Sequence, residues 1–341
     1  MKLLNWRVFS MALLLGMAVA MPSITKAQTP MSEIPLTSGA VGGGGGAAQG
    51  AGGAATEGVG DPVVDPSIPP ANSAGPEAVA FDGTYVWVAT QFNDSITRVR
   101  VTDNAVAGTF AVGKRPVALL YAGSYLWVAN LLSNNVMKIN TGTGAIVATY
   151  NTGDGPGGLA YDGTNIWVAN RTGNSVTKLK ASNGSNQGTF AVGNRPVGIA
   201  YANSNIWVAN QNSNSVTRLS TAGAVLGTYA VGKGPFGVVG AGDSVFVTNY
   251  FGKSLTKLRA ADGVALGTFS VGDGAAGILF DGTNLWVVLN GDSNVVRVNP
   301  SSGSIISTYV TGKGPFAVAH DGTRIWVPNF SSNSISMAAA N

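Results

Sequence analysis

Between residues 75 and 341, short apolar runs alternate with turns rich in glycine, asparagine and serine, and the alternation has a fixed period. Trp87, Trp127, Trp167 and Trp207 are spaced 40 residues apart. Phe246 follows after 39, then Trp286 and Trp326 after 40 each. One copy holds four β-prone runs, at 196–201, 205–210, 215–219 and 227–231. No apolar spacing of 3.6 residues runs through the copies, which sets aside helical repeats of similar length. Asp82-Gly83, Asp162-Gly163, Asp281-Gly282 and Asp321-Gly322 stand between first and second runs, and Asp-Gly between two β runs signals a hairpin. Four antiparallel strands per period, repeated seven times, predict an all-β fold: a seven-bladed β-propeller over 75–341.

Two positions carry the packing. The third residue of the innermost strand is always small: Ala78, Ala118, Gly158, Gly198, Gly237, Gly277 and Ala317. Inner strands crowd together at a propeller axis, so a large side chain there would meet the next blade. The tryptophans fall on the second strand, where adjacent sheets pack, and each ring can bury ~150–250 Å². Their regular spacing marks them as core, because a repeat buries its faces only against its neighbours. Six copies supply a fourth strand, the last ending at Val310, and the seventh does not. An unpaired edge invites association. Residues before Gly75 are therefore expected to donate the missing outer strand, from about 63–68, where prolines suit only an outermost strand.

The N-terminal stretch changes the charge picture. Lys2 and Arg7 precede an apolar run at 8–20, too short to cross a ~30 Å hydrocarbon layer as a helix. Thr25-Lys26-Ala27 then offers a cleavage site, so 1–27 reads as a signal peptide cut after Ala27, with Ala20 as second choice. The mature chain is expected to be exported, whether periplasmic, secreted or on the cell surface, with no transmembrane segment. Residues 28–74 read as a linker, glycine-rich at 42–46 and proline-rich at 62–70, with 62–70 expected to close the last blade. Losing Lys2, Arg7 and Lys26 takes the 20 basic residues to 17, against 16 acidic ones. A near-neutral mature surface has no general field for nucleic acid, so none is expected as a partner. The chain has no cysteine, which excludes disulfides, thiolate metal sites and thiol nucleophiles.

Ile206-Trp207-Val208-Ala209-Asn210, followed by Asn214-Ser215-Val216-Thr217, then Val231-Gly232 and Pro235, resembles the YVTN-type repeat of bacterial and archaeal surface propellers. Val247-Thr248-Asn249 keeps three of the letters that name it. The resemblance covers about 75–341 and implies an exported propeller without an assigned chemistry. Virginiamycin B lyase-like propellers are a more distant likeness, which would imply a histidine and magnesium held by glutamate. The chain departs from that pattern: after residue 27 its glutamates are Glu33, Glu57 and Glu77, and His320 is its single histidine.

Little else points to catalysis. His320 takes the repeat position of Phe81, Tyr121, Tyr161, Tyr201 and Phe280, so it reads as a ring replacing a ring. The turn aspartates form no calcium ladder, and glycines such as Gly113 and Gly153 recur as turn residues without a phosphate-loop pattern. No cofactor or metal is expected. Arg98, Lys138, Lys178, Arg218, Lys257 and Arg297 share one third-strand position, which Met337 breaks. These six should extend to water over apolar stems. Asn130, Asn170, Asn210, Asn249 and Asn329 should cap turns with their amides.

The hairpin face is uniform, whereas loops after the second and fourth strands differ from blade to blade. Loops carry function where a rigid scaffold holds them. The expected binding residues are Phe92, Leu131, Leu132, Arg171, Tyr250, Phe251 and Phe330, with Arg115, Arg195, Lys233 and Lys313. The chain is read as a monomeric, non-enzymatic binding or interaction scaffold for a protein or carbohydrate ligand. The alternatives are a metal-dependent lyase or hydrolase with a site in the central channel, and a structural cell-surface component.

Overall fold

Each repeat folds into one antiparallel sheet, and the seven sheets are arranged as the blades of a propeller. The computed structural model describes residues 28–36 and 74–340. Blade 3 is representative, with Pro156–Tyr161, Asn165–Asn170, Ser175–Lys180 and Asn186–Ala191 from axis to rim. Its second strand is buried along nearly its whole length, because a sheet lies on either side of it. The fourth strand, at the rim, alternates between exposed and half-buried positions. All six repeat tryptophans are fully buried, and those of blades 1 to 4 and 6 pack against the aromatic ring of their own fourth strand, as Trp286 does with Tyr309 at 5.3 Å.

The small inner position has a direct cause. A Cβ on Gly277 would stand 2.5 Å from the Phe316 carbonyl oxygen of the next blade, and one on Gly237 2.8 Å from that of Ala276. Backbone cannot yield as a flexible side chain can, so these positions require glycine, while Ala78, Ala118 and Ala317 show that the other three blades have room for one methyl group, and no more is used.

The turn aspartates also serve the core. Trp87 Nε1 donates to Asp82 Oδ2 at 2.7 Å, and the pairs Trp167–Asp162, Trp286–Asp281 and Trp326–Asp321 repeat this at 2.7–2.8 Å. Blades 2 and 4 have Ala122 and Ala202 in place of the aspartate. There the hairpin is a tighter turn, with Gly123 and Ser124, or Asn203 and Ser204, all at positive φ. The buried indole N–H groups of Trp127 and Trp207 then have no hydrogen-bond partner. Blade 5, with Ala241, carries Phe246, a ring with no donor to satisfy.

The six basic residues do not simply extend to water. Each is paired across the ladder with its blade's central aromatic residue and lies over that ring. Each also donates to a backbone carbonyl of the next blade. Arg98 reaches Thr141 at 2.9 Å, Lys138 Ala181 at 2.9 Å, Lys178 Thr221 at 2.7 Å, Arg218 Ala261 at 2.6 Å and Lys257 Pro300 at 2.9 Å. Arg297 makes the same reach to Ala340 at 3.5 Å. They are staples between blades.

Of the recurrent asparagines, Asn210 caps a turn as expected, its Oδ1 accepting the Gly193 N–H at 3.1 Å, but their amide nitrogens do something else. Asn210 is fully buried, and its Nδ2 donates to Ser215 and Thr217 of the third strand at 3.2 and 2.9 Å. Asn170, Asn249 and Asn329 repeat the pattern, tying second strand to third. These side chains press on Gly113, Gly153, Gly193, Gly232 and Gly312, where a Cβ would come within 2.6–2.8 Å of the amide. Close approach, rather than a turn conformation, calls for glycine there.

Ring closure uses residues before Gly75, but not the stretch expected. Ser32–Pro35 pairs antiparallel with Ser334–Ala339 as the outer strand of blade 7. Gln28–Pro30 adds a parallel fifth strand to blade 6 beside Ile305–Val310. Residues 28–36 thus belong to the ring and not to a linker. Buried Leu36 anchors them, its N–H donating to Asn333 O at 3.1 Å and its carbonyl accepting from Asn333 Nδ2 at 2.9 Å. The expected closing stretch 62–70, the glycine run 42–46 and the expected signal peptide 1–27 lie outside the described residues. Among the described residues, no helix is long and apolar enough to cross a membrane.

Candidate functional site at the channel mouth

The second residue of each inner strand faces the axis and varies: Glu77, Val117, Gly157, Val197, Phe236, Ala276 and Phe316. Above it, the residue after each second strand also varies, from Gln91, Arg171 and Gln211 to Tyr250, Asn290 and Phe330. These two rings divide the mouth into a polar half and an aromatic half.

The aromatic half is one continuous chain. Phe92 meets Phe330 edge-on at 5.4 Å, Phe330 meets Phe316 at 5.9 Å, and Phe316 stacks on Phe236 at 6.2 Å. Phe236 then meets Tyr250 at 6.0 Å, and Tyr250 meets Phe251 at 5.2 Å. Phe236 and Phe316 reach each other across blade 6 because that blade contributes only Ala276. Tyr250 Oη donates to Asn290 Oδ1 at 2.7 Å, and burial, helped by Asp273, pushes its hydroxyl pKa up to about 12.

In the polar half, Arg171 Nη2 lies 3.8 Å from Glu77 Oε1, with both side chains largely buried. Burial pushes the Glu77 carboxyl above its usual range, against the opposing pull of Arg171 and Arg115. Burial likewise lowers Arg171 and Arg195. Arg115 Nε donates to Gln91 Oε1 at 2.6 Å. Arg115 and Arg195 also have an unusual backbone. At their turn position the other five blades have Gly75, Gly155, Gly234, Gly274 and Gly314, with φ between 57° and 70°. Arg115 and Arg195 hold φ of 55° and 54°, a left-handed conformation that costs an L-residue about 1–2 kcal/mol.

Two cavities open here. One, of about 210 Å³, lies in the channel, with Glu77 and Arg171 on one side and Phe236 and Phe316 on the other. The second, of about 930 Å³, lies over blades 2 to 4 and includes Leu131, Leu132, Arg171 and Arg195 in its wall. Arg171 borders both. Of the other expected residues, Phe92, Tyr250, Phe251 and Phe330 join the aromatic chain. Arg115 borders the polar half through Gln91, whereas Lys233 and Lys313 stand exposed and line neither cavity. Glu77, Gln211, Phe236 and Phe316 were not among the expected binding residues. Aligning the copies on Pro76, Pro116, Pro156, Pro196, Pro235 and Pro315 exposes the variable position after each proline, the signal that would have found three of them.

The chain is a seven-bladed β-propeller whose distinctive chemistry gathers at one mouth of its channel. Among solved structures it is similar to hydrazine synthase of Kuenenia stuttgartiensis, at 18% identity and a TM-score of 0.74, over 82% of this chain and 99% of that one. It is also similar to a streptogramin B lyase (17%, TM-score 0.68, 80% of this chain and 95% of that one). A third is a catalytically inactive virginiamycin B lyase of Staphylococcus aureus with quinupristin (17%, TM-score 0.69, 80% and 98%). At such identities the likeness concerns the fold. No protein-family model matches the chain, and no curated protein matches it.

A divalent cation does not fit this mouth. The carboxylate of Glu77 is met by guanidinium groups, and no three His, Cys, Asp or Glu side chains cluster among the described residues. His320 belongs to the Asp-Gly hairpin end of blade 7, where its Nδ1 accepts the Gly322 N–H at 3.1 Å.

Proposed function

We propose that the protein is an exported propeller that acts by binding, through its variable loop face, without chemistry of its own. The observation that carries this reading is the contrast between its two ends. Four blades share one aspartate–tryptophan hairpin geometry at one end, whereas the other end holds two cavities, an aromatic chain and two arginines in strained backbone. The resemblance to YVTN-type surface propellers supports the same reading.

The test is a binding array of glycans and envelope proteins, probed with wild type, a Phe92→Ala/Tyr250→Ala/Phe251→Ala variant and a Gly163→Ala/Gly322→Ala variant. Ligands of the wild type should be lost by the loop variant and kept by the hairpin variant. A ligand indifferent to the loop substitutions would move recognition off this face. N-terminal sequencing of the protein recovered outside the cytoplasm should begin at Gln28, and a retained Met1 would overturn export by this route.

A further inference from the structure

Resting on that loop-face reading, we propose that the row of aromatic rings at the mouth is a docking site for the chain's own proline-rich stretch 62–70, which competes there with outside ligands. That stretch lies outside the described residues, and the blade-closing role expected of it is taken by Ser32–Pro35. Its prolines, Pro62, Pro66, Pro69 and Pro70, are thereby left without a part in closing the ring.

The ends that flank 37–73 point to this face, because Asn333 holds both. Leu36 N–H donates to the Asn333 carbonyl at 3.1 Å, and Ala74 N–H to Asn333 Oδ1 at 2.9 Å. The Ala74 carbonyl accepts from Phe92 N at 3.2 Å. A Cβ on Gly75 would stand 2.6 Å from the Phe92 ring and 3.1 Å from that of Phe330. The chain thus re-enters the fold against the first two rings of the row. Residues 71–74 reach at most ~14 Å when extended, which ties the stretch to this end.

The chemistry of the row fits a proline-rich occupant. Its rings follow one another at 5.2–6.2 Å, from Phe92 through Phe330, Phe316, Phe236 and Tyr250 to Phe251. Proline-rich segments bind aromatic-lined surfaces as polyproline II helices and lose little entropy, since proline already fixes φ. A stretch of this length spans ~28 Å in that form, enough to pass along the row. Phe92 and Phe251, at its two ends, are 36% and 49% exposed. Charge is complementary as well. The stretch carries Asp65, with Asp61 just before it, and exposed Lys313 and Lys233 flank the row. The Lys313 carbonyl accepts from Ser331 N beside Phe330, and the Lys233 carbonyl from Gly252 N beside Phe251.

The experiment is fluorescence anisotropy of a labelled peptide of residues 61–71, titrated with three forms of the full chain. These are the wild type, a Pro66→Ser/Pro69→Ser/Pro70→Ser variant, and that variant with Phe92→Ala/Phe251→Ala added. A short tether gives an effective concentration of order 1 mM, which weakens an incoming peptide of Kd about 0.1 mM roughly tenfold. The proline variant leaves every described residue unsubstituted, and it should bind the peptide about tenfold more tightly than wild type. The added ring substitutions should reverse that gain. Equal affinity of wild type and proline variant would overturn the proposal, as would a gain that survives loss of the rings, or no binding to any form. Sedimentation velocity should show a monomer, and a dimer that the proline variant loses would put the stretch on a second copy and overturn docking within one chain. If the peptide fails while array ligands remain sensitive to Phe92, Tyr250 and Phe251, this inference falls and the loop-face reading stands.

Discussion

Arg324 Nη2 donates to the backbone carbonyl of Val101, and that bond fastens blade 7 to blade 1. In the other blades a third-strand cation makes this reach. In blade 7 that position is Met337, paired across the ladder with Trp326. Arg324, two residues before the tryptophan, takes over: it lies 4.7 Å from the Trp326 ring centre and pairs with Asp321 at 3.0 Å. The staple therefore persists at the seam, supplied from a different strand.

Arg324→Ala should lower stability by about 2 kcal/mol, because a largely buried carbonyl and carboxylate lose a charged donor. Met337→Arg in the same background should restore part of that loss by rebuilding the third-strand staple. Denaturant titration of the two single variants and the double variant measures the coupling. Additive effects would show that the two positions do not share a role.

The orphan indoles predict an asymmetry among the tryptophans. Trp87→Phe and Trp167→Phe remove a bond to a carboxylate and should cost about 1.5–3 kcal/mol beyond packing. Trp127→Phe and Trp207→Phe remove an unpaired buried donor and should cost less, as Phe246 in blade 5 already illustrates. Thermal denaturation of the four variants checks the order.

Deleting residues 28–36 should destabilise the ring by about 3 kcal/mol or more, from losing the apolar burial of Leu36 and Ile34 alone. It also exposes the edge of Ser334–Ala339. Sedimentation velocity should then show self-association, since a bare strand edge is a pairing template.

Acid should weaken the fold through the hairpins. Burial raises the carboxyls of Asp162, Asp281 and Asp321, but the indole and backbone N–H bonds outweigh it and hold all three below the ordinary value of 3.8. A depressed folded pKa contributes stability above that value, and the contribution is lost as pH falls through the folded value. Glu77 acts in the opposite sense: its raised pKa disfavours the fold at neutral pH, a cost relieved on acidification. Unfolding free energy followed from pH 6 downward should therefore fall most steeply below about pH 4. Asp162→Asn should flatten that fall.

The blade was legible from residues 75–341 alone, because a blade is made by contacts within 40 residues. Tryptophan spacing, the small inner position and the Asp-Gly turns each encode a local geometry with few alternatives. The variable face was legible for the same reason, as departure from a repeat. Only the tertiary structure decided what crosses blades. The basic ring became a set of staples because each carbonyl acceptor belongs to the next repeat, 43 residues on. The closing strand came from Ser32–Pro35 because edge pairing is set by backbone bonds and the burial of one leucine, which leave little mark in composition. The channel mouth joined Glu77 to Arg171, two blades away, and Phe236 to Phe316 over the gap left by Ala276. Such pairs arise from the curvature of a closed ring, which places distant repeats around one axis, and no single repeat contains that information.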